Sequence, residues 1–280
     1  MNKLLKNSAM IISLLSSALA SHAAQLAIVI DDFGYRTHNE KLVLALSPNI
    51  TVAVLPNSPN AANIATYAHN NGNDVMIHLP MAPMGKQPLE VDTLTPQMDK
   101  NEIQRIIGNA IENVPYAIGI NNHMGSLMTS SLPSMQNVMQ VLSHDSLFFL
   151  DSKTIGHSQA LIAAQEYRVP SIGRDIFLDD SQKEADVAHQ FDLAVKHAQK
   201  QGSAVAIGHP YPVTINVLTA KLAQLPADVE LVKVSQLVNV PTSTKLSDIF
   251  TKQKIHIEQG LFDYMILKQT SSQNQGKNKP

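Results

Sequence analysis

Six short apolar runs along the chain each end in residues that could do chemistry. LAIVI leads into Asp31 and Asp32, VMI into His78, AIGI into Asn121, Asn122 and His123, LFFL into Asp151, SIG into Arg174 and Asp175, and AVAIG into His209. Neutral imidazoles with one carboxylate and an open position make a catalytic site for a zinc-like divalent ion, which renders water acidic enough to attack an acyl carbon. Adjacent carboxylates such as Asp31 and Asp32 repel each other unless a cation neutralises one of them. A division of labour removes the conflict: one aspartate coordinates the ion, and the other accepts a proton. A histidine across the site would then protonate the leaving group. Competing chemistries find less support. No G-x-S-x-G elbow is present for a serine hydrolase, and Ser126 in HMGS does not make one. The acids at these run ends include no glutamate for a retaining glycosidase. A phosphoesterase would want more bridging carboxylates and more basic clamps.

Taken singly, each of these residues has an ordinary explanation. A lone histidine at a strand end is usually a hydrogen-bonded structural group. An aspartate there is usually a cap or turn former, which is the reading given to Asp179 and Asp180. His38, His69, His144, His157, His189 and His197 fall on or near helices and read as solvated. The selected set stands out because all its members follow strands, so all would meet at one end of one sheet.

The elements that must position them alternate. Strands are expected at 26–30, 50–55, 74–78, 116–120, 147–150, 170–173, 204–208 and 229–234, and helices at 37–46, 59–71, 99–113, 132–144, 157–167, 182–201 and 213–225. Continuous apolar strands separated by helices imply a parallel sheet covered on both faces. Seven or eight such units favour a (β/α) barrel over an open sheet, and no G-x-G-x-x-G follows the first strand to suggest a dinucleotide fold. In a barrel, side chains beyond the C-terminal strand ends converge on one mouth.

The chain has 280 residues, no cysteine, no tryptophan and a formal net charge of −2. Scattered charge of this size gives no reason to expect nucleic acid or an anionic membrane surface as a partner. Residues 1–23 carry Lys3 and Lys6, then an apolar stretch and small-x-small cleavage sites, and read as a bacterial signal peptide with no lipidation cysteine. The expected location is therefore periplasmic or secreted, without a stable membrane anchor. Residues 24–240 read as one catalytic domain, 241–267 as a weakly structured appendage, and 268–280 as a disordered tail.

The ordered motifs IVIDDFG, MIHLPM, NNHMGS, FLDS, RDIFLD and IGHPYP resemble the divergent polysaccharide deacetylases of the carbohydrate esterase superfamily, over about residues 25–235. The resemblance implies a distorted, often incomplete (β/α) barrel with a divalent metal, usually zinc, that deacylates carbohydrate polymers. Carried over by motif, Asp31 is the catalytic base, Asp32 a metal ligand, His78 the first histidine of H-x-x-x-H, and His209 the general acid. Arg174 and Asp175 correspond to a charged pair that orients the base. Two departures stand out. Position 82, where the second histidine of that motif belongs, is Ala82, and NNHMGS replaces an arginine–proline motif. His123 is inferred to supply the third ligand from the neighbouring strand.

The resulting expectation is an exported hydrolase of carbohydrate esters or amides. Asp32, His78 and His123 hold the metal, and Asp31, His209, Arg174 and Asp151 act in catalysis. Asn122, Asp175 and Tyr211 face substrate. Cell-wall-associated proteins are further candidate partners. The rival reading is a non-catalytic glycan- or cell-wall-binding protein on the same barrel. The altered metal motif favours the rival, whereas the presence of both Asp31 and His209, and the lack of tryptophan for sugar stacking, count against it.

Overall fold

Period-two alternation decides which residues reach the site. The computed structural model describes residues 23–238, so the expectations for 1–22 and 239–280 lie outside the described residues. Among the described residues there are nine parallel strands: β1 (Ala24–Phe33), β2 (Thr51–Val54), β3 (Val75–Met81), β4 (Ala117–Met124), β5 (Phe148–Asp151), β6 (Ser171–Gly173), β7 (Ile176–Phe177), β8 (Ser203–Gly208) and β9 (Val229–Val232). They pair in the order β6-β5-β4-β3-β2-β1-β8-β7. The first half of β1 also pairs with β9, before β2 takes over that edge.

The two ends of this path are neighbours in the chain. Arg174 N–H donates to Asp151 O, continuing the β5 ladder, and Asp175 N–H donates to Val205 O, starting the β8 ladder, at 2.9 and 2.8 Å. A single peptide link thus carries the chain across the seam. The sheet is therefore rolled into a barrel that stays unpaired between β6 and β7, as the reading of an incomplete (β/α) barrel expects.

Eight α-helices of the described residues cover the sheet: α1 (Thr37–Leu44), α2 (Ala61–Asn70), α3 (Lys100–Asn113), α4 (Ser126–Thr129), α5 (Leu132–Leu142), α6 (Ala160–Glu166), α7 (Glu184–Gln201) and α8 (Pro212–Leu222). α3 shows why they form. Its Asp99 cap accepts from Glu102 N–H at 2.9 Å, and Ile103, Ile106, Ile107 and Ala110 make a buried stripe at helical spacing. Among the described residues no helix is long and apolar enough to cross a membrane.

Two cores result. Leu26, Ile28 and Ile30 face outward into the strand–helix core. Ala27, Val29, Ala53, Met76, Phe148, Leu150, Val205 and Ile207 fill the barrel interior, which Val234 and Leu237 join from the segment after β9. The strands extend past the expected ends because their polar residues keep pairing. His78 stands beside Asn121 and Pro80 beside His123 in the β3·β4 ladder.

Gly34, just beyond β1, has φ +117°, and a Cβ there would fall 1.7 Å from Ser58 Oγ. Its N–H and that of Arg36 donate to the buried Glu40 carboxylate, which fixes the turn below the aspartates. Gly34→Ala should therefore cost roughly 1–3 kcal/mol, read as a lowered urea midpoint.

Candidate metal centre

The inward rows of the strands run directly into the site. Ala27–Val29 leads to Asp31, Met76 to His78, Gly119 to Asn121 and His123, Leu150 to Ser152, and Ile207 to His209, each by steps of two residues. Asp32 breaks this rule, since in a regular strand it would face outward. Its φ of 60° and the register shift between Ile30 and Phe33 mark a bulge that re-aims the side chain. Aspartate tolerates this left-handed conformation better than most residues. Both carboxylates consequently reach the same imidazole: His78 Nε2 lies 3.7 Å from Asp31 Oδ2 and 3.3 Å from Asp32 Oδ1.

Three donor atoms form a compact triangle. Asp32 Oδ1 is 3.3 Å from His78 Nε2 and 3.1 Å from His123 Nδ1, and the two nitrogens are 3.0 Å apart. Ligands at about 2.0–2.1 Å from a tetrahedral zinc stand roughly 3.3 Å from each other, so the three residues fit such an ion. Asp32 Oδ1 is buried yet finds no hydrogen bond of acceptable geometry. The tautomer agrees. His78 Nδ1 lies 2.8 Å from Asn121 Oδ1, an acceptor, so Nδ1 carries a proton, and a neutral His78, as an ion would require, would aim its Nε2 lone pair into the triangle. Among the described residues this is the only such group of acids and imidazoles.

The electrostatics are those of a cation site. Burial opposes charge on His78, but Asp31 and Asp32 outweigh it and raise its pKa to about 9. Burial also opposes charge on Asp32, yet His123 and His78 hold it well below the usual carboxylate range. A proton and a divalent ion compete for such ligands.

Asp31 and His209 flank the triangle. Asp31 Oδ1 accepts from Asn121 Nδ2 at 2.9 Å, so Asn121 links this acid to His78. Burial raises the Asp31 pKa, against the pull of His78, His209 and the Asn121 hydrogen bond. His209 Nε2 lies 3.8 Å from Asp32 Oδ2, while its Nδ1 lies 2.9 Å from Asp179 Oδ1. Burial lowers the His209 pKa, but the Asp179 hydrogen bond and the surrounding carboxylates bring the net shift upward.

Asp179 corrects the sequence reading. It is no turn or cap former: its Oδ2 accepts from His209 N–H and Thr214 Oγ1, both at 2.7 Å, and it is 3% exposed. The available signal was its two-residue step from Phe177, an inward residue of β7. That strand has only two residues, too few to show a pattern.

Other expected site residues are placed differently. Asp151 shares the outward face of β5 with Phe149, and its Oδ1 accepts from Lys153 N–H at 2.8 Å, while Ser152 takes the inward place. The Asp151 carboxylate is thus held by the Lys153 backbone, and its charge favours that of Arg174 against burial. Asp175 turns toward β8 and α7. Its carboxylate accepts from Val205 N–H at 2.9 Å and lies 3.6 Å from His197 on α7, which makes it a clasp for the barrel seam. Arg174 remains at the cleft, with Nε donating to Ser152 O at 2.6 Å and Nη2 to Lys153 O at 2.9 Å. Asn122 accepts from Ser152 N–H and donates to Met124 O, tying two strand ends together in the cleft wall.

Two depressions, of about 190 and 360 Å³, meet at the triangle and share His123. Tyr211, with Tyr35, Arg36 and Glu90, lines the smaller one, and Arg174, Phe177 and Lys153 help line the larger. His209 stands between them, stacked on Tyr211 at 5.3 Å and edge-on to Phe177 at 5.6 Å. Each ring carries a guanidinium on its other contact, Arg36 over Tyr211 and Arg174 over Phe177.

Ala82 is used by its backbone. Its N–H donates to Leu94 O at 2.8 Å, and its carbonyl accepts from Leu127 and Met128 at 3.0 and 3.1 Å. His123 closes the triangle from β4, two residues beyond the ladder partner of His78.

A rolled parallel sheet sheathed by helices, with acids and imidazoles at its C-terminal rim, is the barrel of the polysaccharide deacetylase type. Residues 28–238 match the divergent polysaccharide deacetylase family, and the chain belongs to it. Over 219 residues, 78% of this chain and 69% of the relative, it is 59% identical to the uncharacterized protein YibQ of Escherichia coli (strain K12). It is 42% identical over 241 residues to an uncharacterized protein of Haemophilus influenzae, covering 85% and 86% of the two chains. In fold it is similar to the uncharacterized protein ATU2773 from Agrobacterium tumefaciens C58, with a TM-score of 0.72 at 19% identity, covering 78% of this chain and 90% of that one.

Proposed function

We propose that this protein is an exported, divalent-metal-dependent hydrolase that removes acyl groups from a carbohydrate polymer, with zinc as the ion. The observation that carries the reading is the triangle of Asp32 Oδ1, His78 Nε2 and His123 Nδ1, with sides of 3.0–3.3 Å and a buried carboxylate oxygen that no hydrogen bond satisfies. An ion held there would polarise an acyl oxygen and make water nucleophilic near neutral pH. Asp31 has one oxygen fixed by Asn121 and the other turned toward the site, and Oδ2 takes the proton of the attacking water. His209 Nε2 delivers a proton to the departing amine or alkoxide, and Asp179 at Nδ1 stabilises the imidazolium. The depressions on either side of the triangle give room for sugars flanking the reacting acyl group. A protein that only bound glycan would need neither the buried base nor the oriented acid.

The purified chain should release acetate from acetylated oligosaccharides, lose that activity in chelator and regain it with zinc. Binding of the sugars without turnover under any metal would support the binding-only reading instead. Asp179→Asn should lower kcat by on the order of 10²-fold with KM nearly unchanged, because His209 loses the charge that favours its protonated form. Steady-state acetate release measures both.

A further inference from the structure

We propose that Glu90 is a positioning residue for His123, holding its outer nitrogen as Asn121 holds that of His78. The inference rests on the reading of Asp32, His78 and His123 as an ion site. His78 enters the triangle through Nε2 and His123 through Nδ1. An imidazole that ligates a metal almost always gives its other N–H to an oxygen, which fixes the ring's tautomer and orientation. For His78 that oxygen is Asn121 Oδ1, at 2.8 Å. For His123, Glu90 Oε1 lies 3.7 Å from Nε2, an ion-pair distance longer than a hydrogen bond, so the proposed contact requires the carboxylate to move toward the ring when the ion binds.

Glu90 is well supported for this task. It sits on the long connection between β3 and α3, and its carbonyl accepts from Thr93 N–H and Thr93 Oγ1 at 3.3 and 2.7 Å. The next two residues are anchored to other elements: Val91 O accepts from Asn57 Nδ2 at 3.0 Å, and Asp92 pairs with Arg105 of α3 at 3.1 Å. Leu94 returns to the strand edge, donating to Pro80 O and accepting from Ala82 N–H, both at 2.8 Å. The carboxylate thus stands on a fixed turn in the wall of the smaller depression. Within 4 Å of it, His123 is its basic partner among the described residues. The same loop therefore walls the cleft and steadies the one ligand that comes from β4, which ties ion binding to the placement of that wall.

The test is zinc affinity, measured by competition with a chromogenic chelator on the purified chain without substrate. Glu90→Ala should bind zinc roughly 10–100-fold more weakly than the wild type. Glu90→Gln, which keeps an acceptor oxygen, should recover much of the loss. In excess chelator all three chains should melt at the same temperature, because the glutamate side chain makes no other ion pair among the described residues. Glu90→Ala with wild-type zinc affinity overturns the assignment and leaves the ion site standing, whatever its melting point. A wild type that takes up no zinc overturns the ion site and this inference together.

Discussion

His78→Leu is expected to abolish zinc binding and to lower the stability of the ion-free chain. His78 is 2% exposed and supplies one corner of the triangle, so leucine removes a donor for which no neighbour among the described residues substitutes. It also removes the positive charge that faces Asp31 and Asp32, and Asp31 is itself buried. Removing one partner of a buried ionic pair typically costs about 3–5 kcal/mol. Zinc titration and urea unfolding read the two effects separately. Unchanged zinc affinity would place the ion elsewhere, and unchanged unfolding would mean that the carboxylates do not depend on this imidazole.

Asp31→Asn separates proton transfer from ion binding. Asp31 is outside the triangle, so zinc affinity should stay close to that of the wild type. The new amide can still present an oxygen to Asn121 Nδ2, which preserves the local hydrogen bond. The variant has lost its proton-accepting carboxylate, however, and kcat for acetate release should fall by roughly 10²–10⁴-fold. A variant that binds zinc normally and retains most of its activity would remove Asp31 from the mechanism.

Much of the fold was legible because both faces of the strands are apolar. Runs such as LAIVI and AVAIG read as strands buried on two sides, and the helices between them carried caps and stripes that local pattern reveals. The clustering at one rim followed from counting along parallel strands. Facing was harder to read, because a shift of one residue at a strand end turns a side chain to the opposite face. Asp151 and Ser152 show this: Asp151 continues the outward row of Phe149, and the inward place falls to Ser152. Asp32 is the converse case, where a left-handed residue in a bulge brings into the site a side chain that alternation would exclude. Asp179 was missed because β7 is two residues long, and the acids after it look like any polar turn. The facing of Asp175 was hard to read for a related reason. Adjacency to Arg174 suggested a shared role, but the barrel seam runs between the two residues, and Asp175 belongs to the β8 side.

The most direct measurement is an anomalous difference map at the zinc edge, from crystals of the purified chain grown with zinc. The expected result is a strong peak bounded by Asp32 Oδ1, His78 Nε2 and His123 Nδ1. Density confined to other sites, with these three side chains turned away from one another, would contradict the account.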